Sequence, residues 1–419
     1  MANPLILSLV RLLVLALPLW FAEAGRATPV DHSSTPLPLA TAPASDEFTN
    51  EMLQQSWIAY KQRFIQPDGR VIDWEQGGRS TSEGQAYAML RSVFTDDPAT
   101  FDLALQWAEN NLQRRNGNTR SDQLWAWKWG QQEQNGEPSW GILDNNFASD
   151  ADVDAITALI LASRRWNRPD YLQLAQAKLK DLWAIATIEV RPTAAPQPQT
   201  RRYLIPGELN TFQPQPNVVY LNPSYFAPYA YRLFAQIDRD RDWLGMIDSG
   251  YWALEASSQV SLVGLPSDWV ALNTETGRFS AVPVTTSLRS MYSFDAFRVW
   301  WRLSLDATWF NEPRATAFLK KRLQPLQALW QSQQAIPARI TLLGTPIASY
   351  EATSQYAMLY AAFQIVDPAI AEQIRQQKLM PTYKDGIWDN NSAYYVQNLA
   401  WFGLFPPSEV AASLLSPAG

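Results

Sequence analysis

The stretch "DADVDAITALILASRRWNRPDYLQLAQAKLKDLWA", residues 150–184, decides how this chain is to be read. From Asp150 to Trp166 apolar residues recur three and four apart, the spacing of one face of an α-helix, and the pattern resumes from Pro169 to Ala184. Only Asn167 and Arg168 separate the two runs. So short a connection makes the helices antiparallel neighbours, a helical hairpin.

Working outward, the same periodicity marks twelve helical segments, at approximately 47–65, 82–94, 99–114, 150–166, 169–184, 223–236, 239–256, 293–306, 312–332, 350–365, 367–378 and 392–404. A second short connection, Gln236 to Asp238, repeats the hairpin geometry. Longer stretches, 66–81, 115–149, 185–222, 257–292 and 379–391, are less regular, hold Trp, Asp, Asn and Pro, and each precedes a new helix. This order suits paired helices closed in a ring, with the long loops gathered at one end as a binding face. Residues 263–285 are expected to add a short β-hairpin there. No self-similarity at a fixed long period is visible, which favours a closed all-α barrel over an open solenoid.

Composition limits the chemistry. A chain of 419 residues can bury a large core, and its net charge of -6 gives no reason to expect a nucleic-acid partner. It has no Cys and a single His, His32, so thiol nucleophiles, Cys-ligated zinc and His-based triads are excluded unless His32 takes part. Carboxylates, Tyr, Lys, Arg and hydroxyls remain, and no metal or cofactor is expected. The 19 Trp, 16 Tyr and 17 Phe are more than a core usually consumes. Large helical proteins bury many of them, but exposed aromatic faces are also what sugar rings stack on.

Residues 1–24 read as a secretory signal peptide, with an apolar run from Leu12 to Phe21 and a small-x-small site at Ala22-Glu23-Ala24. The alternative is an uncleaved anchor, although the run is short for a membrane span. Residues 25–46, rich in Pro, Ser, Thr and Ala, read as a disordered linker that holds His32. The folded domain is therefore expected at 47–419, in a periplasmic or extracellular protein.

Three carboxylate clusters lie in the helical part. In "STSEGQAYAML", residues 80–90, Ser80-x-x-Glu83 and Ser82-x-x-Gln85 both fit a capping box. Glu83 equally suits a catalytic acid at a helix N-terminus, where packing would keep it protonated. Asp150, Asp152 and Asp154 open the next helix, more acid than capping requires. A calcium loop fails there, because Ala155 stands at its sixth position and Leu161 at its twelfth. Asp295 lies one helical turn before Arg298, either a minor ion pair or a general base kept ionised by its partner.

These stretches, "TSEGQAYAM", "ASDADVDAITALILASRRW" and "SFDAFRVWWR", resemble the signature regions of glycoside hydrolase family 8, in particular of the endoglucanases that accompany bacterial cellulose synthase. "AWKWG" around Trp127, "NPSYFAPYAYRLFA" around Tyr225, "PSDWV" and "AYYVQNLAWFG" follow in the family's order. Two departures stand out: Ala155-Ile156 within the signature, and Phe294 where many members carry Tyr.

The resemblance implies an (α/α)6 barrel and an inverting endo-β-1,4-glucanase acting on cellulose. Glu83 would be the general acid, Asp295 the general base and Asp150 the residue that holds the distorted sugar ring. Trp127, Tyr225 and Arg298 would line the cleft. A β-1,4-linked polysaccharide is the expected partner, with a functional link to the cellulose synthase machinery, and a monomer is expected. Xylan, mixed-linkage glucan or chitosan, or a non-catalytic polysaccharide-binding role, are the alternatives.

Overall fold

The helices fall in pairs along the chain, as their spacing predicts. The computed structural model describes residues 44–134, 136–194 and 198–416, so the signal segment and nearly all of the linker lie outside the described residues. In chain order the longer helices among the described residues are α1 (Ala44–Phe64), α2 (Ser82–Phe94), α3 (Pro98–Asn111), α4 (Ser149–Arg165), α5 (Pro169–Ile185), α6 (Pro228–Ile237) and α7 (Trp243–Ser258). They continue with α8 (Phe297–Phe310), α9 (Pro313–Arg322), α10 (Gln324–Gln333), α11 (Thr353–Val366), α12 (Pro368–Ile374) and α13 (Tyr394–Leu404). The first begins at Ala44, slightly ahead of the expected start of the folded part.

Six helices form a closed inner ring: α2 packs on α4, α4 on α6, α6 on α8, α8 on α11, α11 on α13, and α13 returns to α2. Each inner helix carries one outer helix, α3, α5, α7, α9, α12 and, on α13, the N-terminal α1. This is an (α/α)6 barrel. The inner position explains the composition of these helices, since α4 is buried on every face from Ser149 to Ala162. Large rings fill the middle, where Trp301 of α8 stacks on Phe402 of α13 at 4.9 Å. The neighbouring Gly403 is required, because a Cβ there would lie 2.2 Å from the Ala357 carbonyl oxygen of α11.

Inner-to-outer turns are tight and locally capped. Asp97 accepts from Thr100 N at 3.0 Å ahead of Pro98, and Asn167 takes the left-handed conformation between α4 and α5. Outer-to-inner connections are long and all reach the opposite end. The N-termini of the six inner helices therefore converge there, with the positive ends of their macrodipoles.

Those loops contain more sheet than their irregular look suggests. Residues 115–149, expected to be irregular, hold a long antiparallel hairpin, Thr119–Gln134 paired with Glu137–Phe147. Its signals in the sequence are the alternation of Trp125, Trp127 and Trp129 and the Asn-Gly dipeptide at 135–136. The hairpin expected within 263–285 forms between Val270–Asn273 and Phe279–Ser280, and Val218–Leu221 adds a third strand. The segment expected at 312–332 is two helices broken at Leu323, because Pro325 cannot continue a helix across it.

Candidate active site

Residues from α2 and α4 and from the turns before α6 and α8 meet on one side chain. Arg298, in the first turn of α8, is 2 % exposed and gives Nη1 to Glu83 Oε2 at 2.7 Å and to Asp150 Oδ2 at 2.7 Å. Its Nη2 donates to Asp295 Oδ1 at 2.8 Å and to Ser224 Oγ at 3.1 Å. One planar guanidinium thus orients three carboxylates. The expected ion pair of Asp295 and Arg298 exists, but it is one hydrogen bond of five, the last going from Nη1 to the Tyr87 hydroxyl at 3.4 Å.

Glu83 does not cap its helix. Thr81 does, accepting from Gly84 N at 3.0 Å, while Ser80 Oγ donates to the Val71 carbonyl and the Ser82 hydroxyl has no partner among the described residues. Gln85 likewise turns inward, accepting from Val71 N and donating to Gly69 and Ala104 carbonyls. Glu83 is left to face the cleft, where the Tyr394 hydroxyl donates to Oε1 at 2.8 Å. Burial pushes its carboxyl up, Arg298 pulls it back and Asp150 pushes it up again, to about 7. Such a group carries its proton near neutral pH.

The second cluster divides its carboxylates three ways. Asp150 binds Arg298 through Oδ2 and leaves Oδ1 buried with no partner among the described residues. Asp152 accepts from Trp125 N at 3.2 Å and so ties α4 to the long hairpin. Asp154 takes both arms of Arg302, at 2.6 and 2.9 Å, deep in the barrel. Neither Ser149 nor Asp152 caps α4; Ser149 Oγ donates to the Ile205 carbonyl instead.

Asp295 precedes α8 rather than lying within it, and 35 % of its side chain is exposed to the cleft. Burial raises its carboxyl, Arg298 opposes this, and the Asn222 and Trp269 side chains beside it also pull it down. The preceding Phe294 packs under the Arg339 guanidinium at 5.7 Å, and its carbonyl accepts from Tyr395 Oη at 2.8 Å. The ring in place of a phenol is therefore held by stacking, and the backbone takes the hydrogen bond.

The aromatic residues stand beside this cluster. Trp127 and Tyr225 line a cavity of about 750 Å³ with Phe212, Tyr220 and Trp269. Tyr225 reaches the carboxylates as well, with Arg298 over its ring at 5.3 Å. Thr81 pairs with Lys128, so the strand bearing Trp127 is bonded to the residue that caps the Glu83 helix. A second cavity of about 600 Å³, near Trp252 and Arg314 on the outer wall, is lined by none of the six residues singled out.

Sequence reasoning missed Tyr394, Ser224, Asn222 and Asp268. Each lies in a stretch it noted, but a lone polar group in a loop or at a helix start carries no periodic signal. Only the closure of the ring brings α13 to Glu83 and the turn before α6 to Arg298.

Comparison with known proteins agrees with this arrangement. The family model "Glycosyl hydrolases family 8" matches residues 28–406. A probable endoglucanase of Novacetimonas hansenii is 31 % identical over 59 % of this chain and 66 % of its own length. An endoglucanase of Xanthomonas axonopodis pv. citri is 33 % identical over 66 % of each chain, so the match spans about two thirds of the length of both relatives. The crystal structure of an endo-1,4-D-glucanase from Vibrio fischeri superposes with a TM-score of 0.68 at 27 % identity, covering 83 % of this chain and 93 % of that one. With a ring of six helix pairs, a carboxylate cluster at its loop end and a family match over nearly all of its length, the chain belongs to the glycosyl hydrolases of family 8.

Proposed function

We propose that this protein is an exported endo-β-1,4-glucanase that hydrolyses cellulose or a related β-1,4-glucan with inversion at the anomeric carbon. The observation that carries this reading is the bridging of Glu83, Asp150 and Asp295 by Arg298. Glu83, protonated up to about pH 7, gives its proton to the glycosidic oxygen as the bond from that oxygen to the anomeric carbon breaks. Asp295 takes a proton from water while the water oxygen bonds to the same carbon from the opposite face. Asp150 keeps one oxygen free for a hydroxyl of the distorted ring. Trp127 and Tyr225 offer stacking faces to the sugars on one side of the bond.

Inversion leaves room for a water between the two carboxyls, roughly 6.5–9.5 Å apart. Glu83 and Asp295 each lie one hydrogen bond from a different nitrogen of one guanidinium, which keeps their nearest oxygens within about 8 Å. The chain's relatives are named endoglucanases, which supports the substrate class. Export rests on the N-terminal segment, while the link to cellulose synthesis rests on the motif resemblance. The cleft is complete in one chain, which supports a monomer.

The test is the purified protein on carboxymethylcellulose, mixed-linkage glucan, xylan and chitosan. A rapid fall in carboxymethylcellulose viscosity, ahead of the release of reducing ends, is the expected outcome. Preference for another polymer reassigns the substrate, and inactivity on all four refutes the enzymatic reading.

A further inference from the structure

Helix α8 carries both Asp295, just ahead of it, and Arg298, yet its N-terminal residue Ala296 has no side chain with which to cap it. The missing acceptor comes from a distant loop. Asp268 is 6 % exposed, and its Oδ1 accepts from Ser293 N at 3.1 Å and from Ala296 N at 2.8 Å, while the Ser293 hydroxyl donates to Oδ2. The two segments are joined further, since Asp268 N donates to the Met291 carbonyl at 2.7 Å and Ser290 Oγ to the Trp269 carbonyl at 2.7 Å. Asp295 lies between the two backbone groups that Asp268 holds.

We infer that Asp268 is a positioning residue for Asp295, clamping the 293–296 turn that aims the base into the cleft. The inference rests on the glucanase reading above. A buried carboxylate with three donors fixes the turn more firmly than a neutral cap would. The other titratable groups facing the pair are Arg298 on α8, Glu83 and Asp150 from α2 and α4, Tyr225 before α6, Tyr395 on α13 and Tyr292 in the same turn. Arg298 is the cation among them.

The experiment compares Asp268→Asn and Asp268→Ala with the wild-type protein on the same soluble β-glucan, reading kcat and KM. Asn keeps an oxygen for both backbone N–H groups and is expected to hold kcat within about tenfold. Ala frees the turn and should lower kcat on the order of 10²-fold with little change in KM. An Asn variant that loses kcat on the order of 10²-fold overturns the inference whatever the Ala variant does, including failure to fold, because its amide oxygen still serves both N–H groups. Wild-type kcat in the Ala variant overturns it too. Inactivity of the wild-type protein itself would instead sink the glucanase reading.

Discussion

Arg298 gives Glu83 the same Nη1 that it gives Asp150, at 2.7 Å to each. The cation therefore cannot neutralise Glu83 alone, and burial outweighs it. Because the protonated carboxyl is the donor, kcat/KM should fall as pH rises, with an alkaline midpoint close to the value of about 7 at which Glu83 titrates. The acid limb belongs to Asp295, which must be ionised and which burial raises above its usual 3.8. A profile of kcat/KM against pH checks both limbs; full activity well above pH 8 would remove Glu83 from the role of acid.

The same shift is a statement about stability. Glu83 is raised from 4.5 to about 7 in the folded protein, so its proton favours folding below the unfolded value, and this contribution is lost as pH rises through 7. At roughly 1.4 kcal/mol per unit, holding Glu83 ionised costs up to about 3 kcal/mol. Glu83→Gln is neutral at every pH and should raise Tm relative to the wild-type protein at pH 8, with the gap closing towards pH 4. Thermal melts at the two pH values decide it, and an equal effect at both would mean that burial does not govern Glu83.

Turnover should need both carboxyls in their own states. Glu83→Gln and Asp295→Asn are each expected to lower kcat by about 10³-fold or more while leaving the circular dichroism spectrum unchanged. In the wild-type reaction, proton NMR of the first product should show the α-anomer, formed from a β-linkage by one displacement. Early accumulation of the β-anomer would require a covalent intermediate and contradict the assignment of Asp295 as a base acting on water.

The ring was legible because its signal is local. Apolar spacing marks each inner helix, and tight turns such as Asn167-Arg168 force the hairpins, so twelve segments could be placed before their packing was seen. The long hairpin was missed because attention to its Trp, Asp and Asn content hid a period of two, and the break at Leu323 because the apolar pattern runs through Pro325. In the site, Glu83, Asp150 and Asp295 could be singled out, since each is a charge placed at the edge of an apolar helix. Their meeting on Arg298 could not, because it depends on the long loops folding over one end of the barrel. The capping pattern around Glu83 misled in detail: Thr81, not either serine, serves the backbone.

The base of the site stands on a second buried ion pair, which gives a prediction about folding rather than chemistry. Arg302, one turn beyond Arg298 on α8, is fully buried and binds both oxygens of Asp154 on α4, at 2.6 and 2.9 Å. It also donates to the Tyr229 hydroxyl at 2.8 Å and to the Ser224 carbonyl at 2.9 Å, in the turn whose hydroxyl receives Arg298. Three inner helices and the Ser224 turn are thereby held in register beneath the carboxylates. Arg302→Met removes the cation and leaves Asp154 buried and unpaired, which should cost about 3–5 kcal/mol and lower Tm at neutral pH. Pairing it with Asp154→Leu removes the stranded charge, so the double variant should regain much of that loss in chemical denaturation. Activity should not return with the stability, because the Ser224 turn would still lack its anchor. A double variant that is stable and fully active would show that Arg302 and Asp154 contribute to the fold alone.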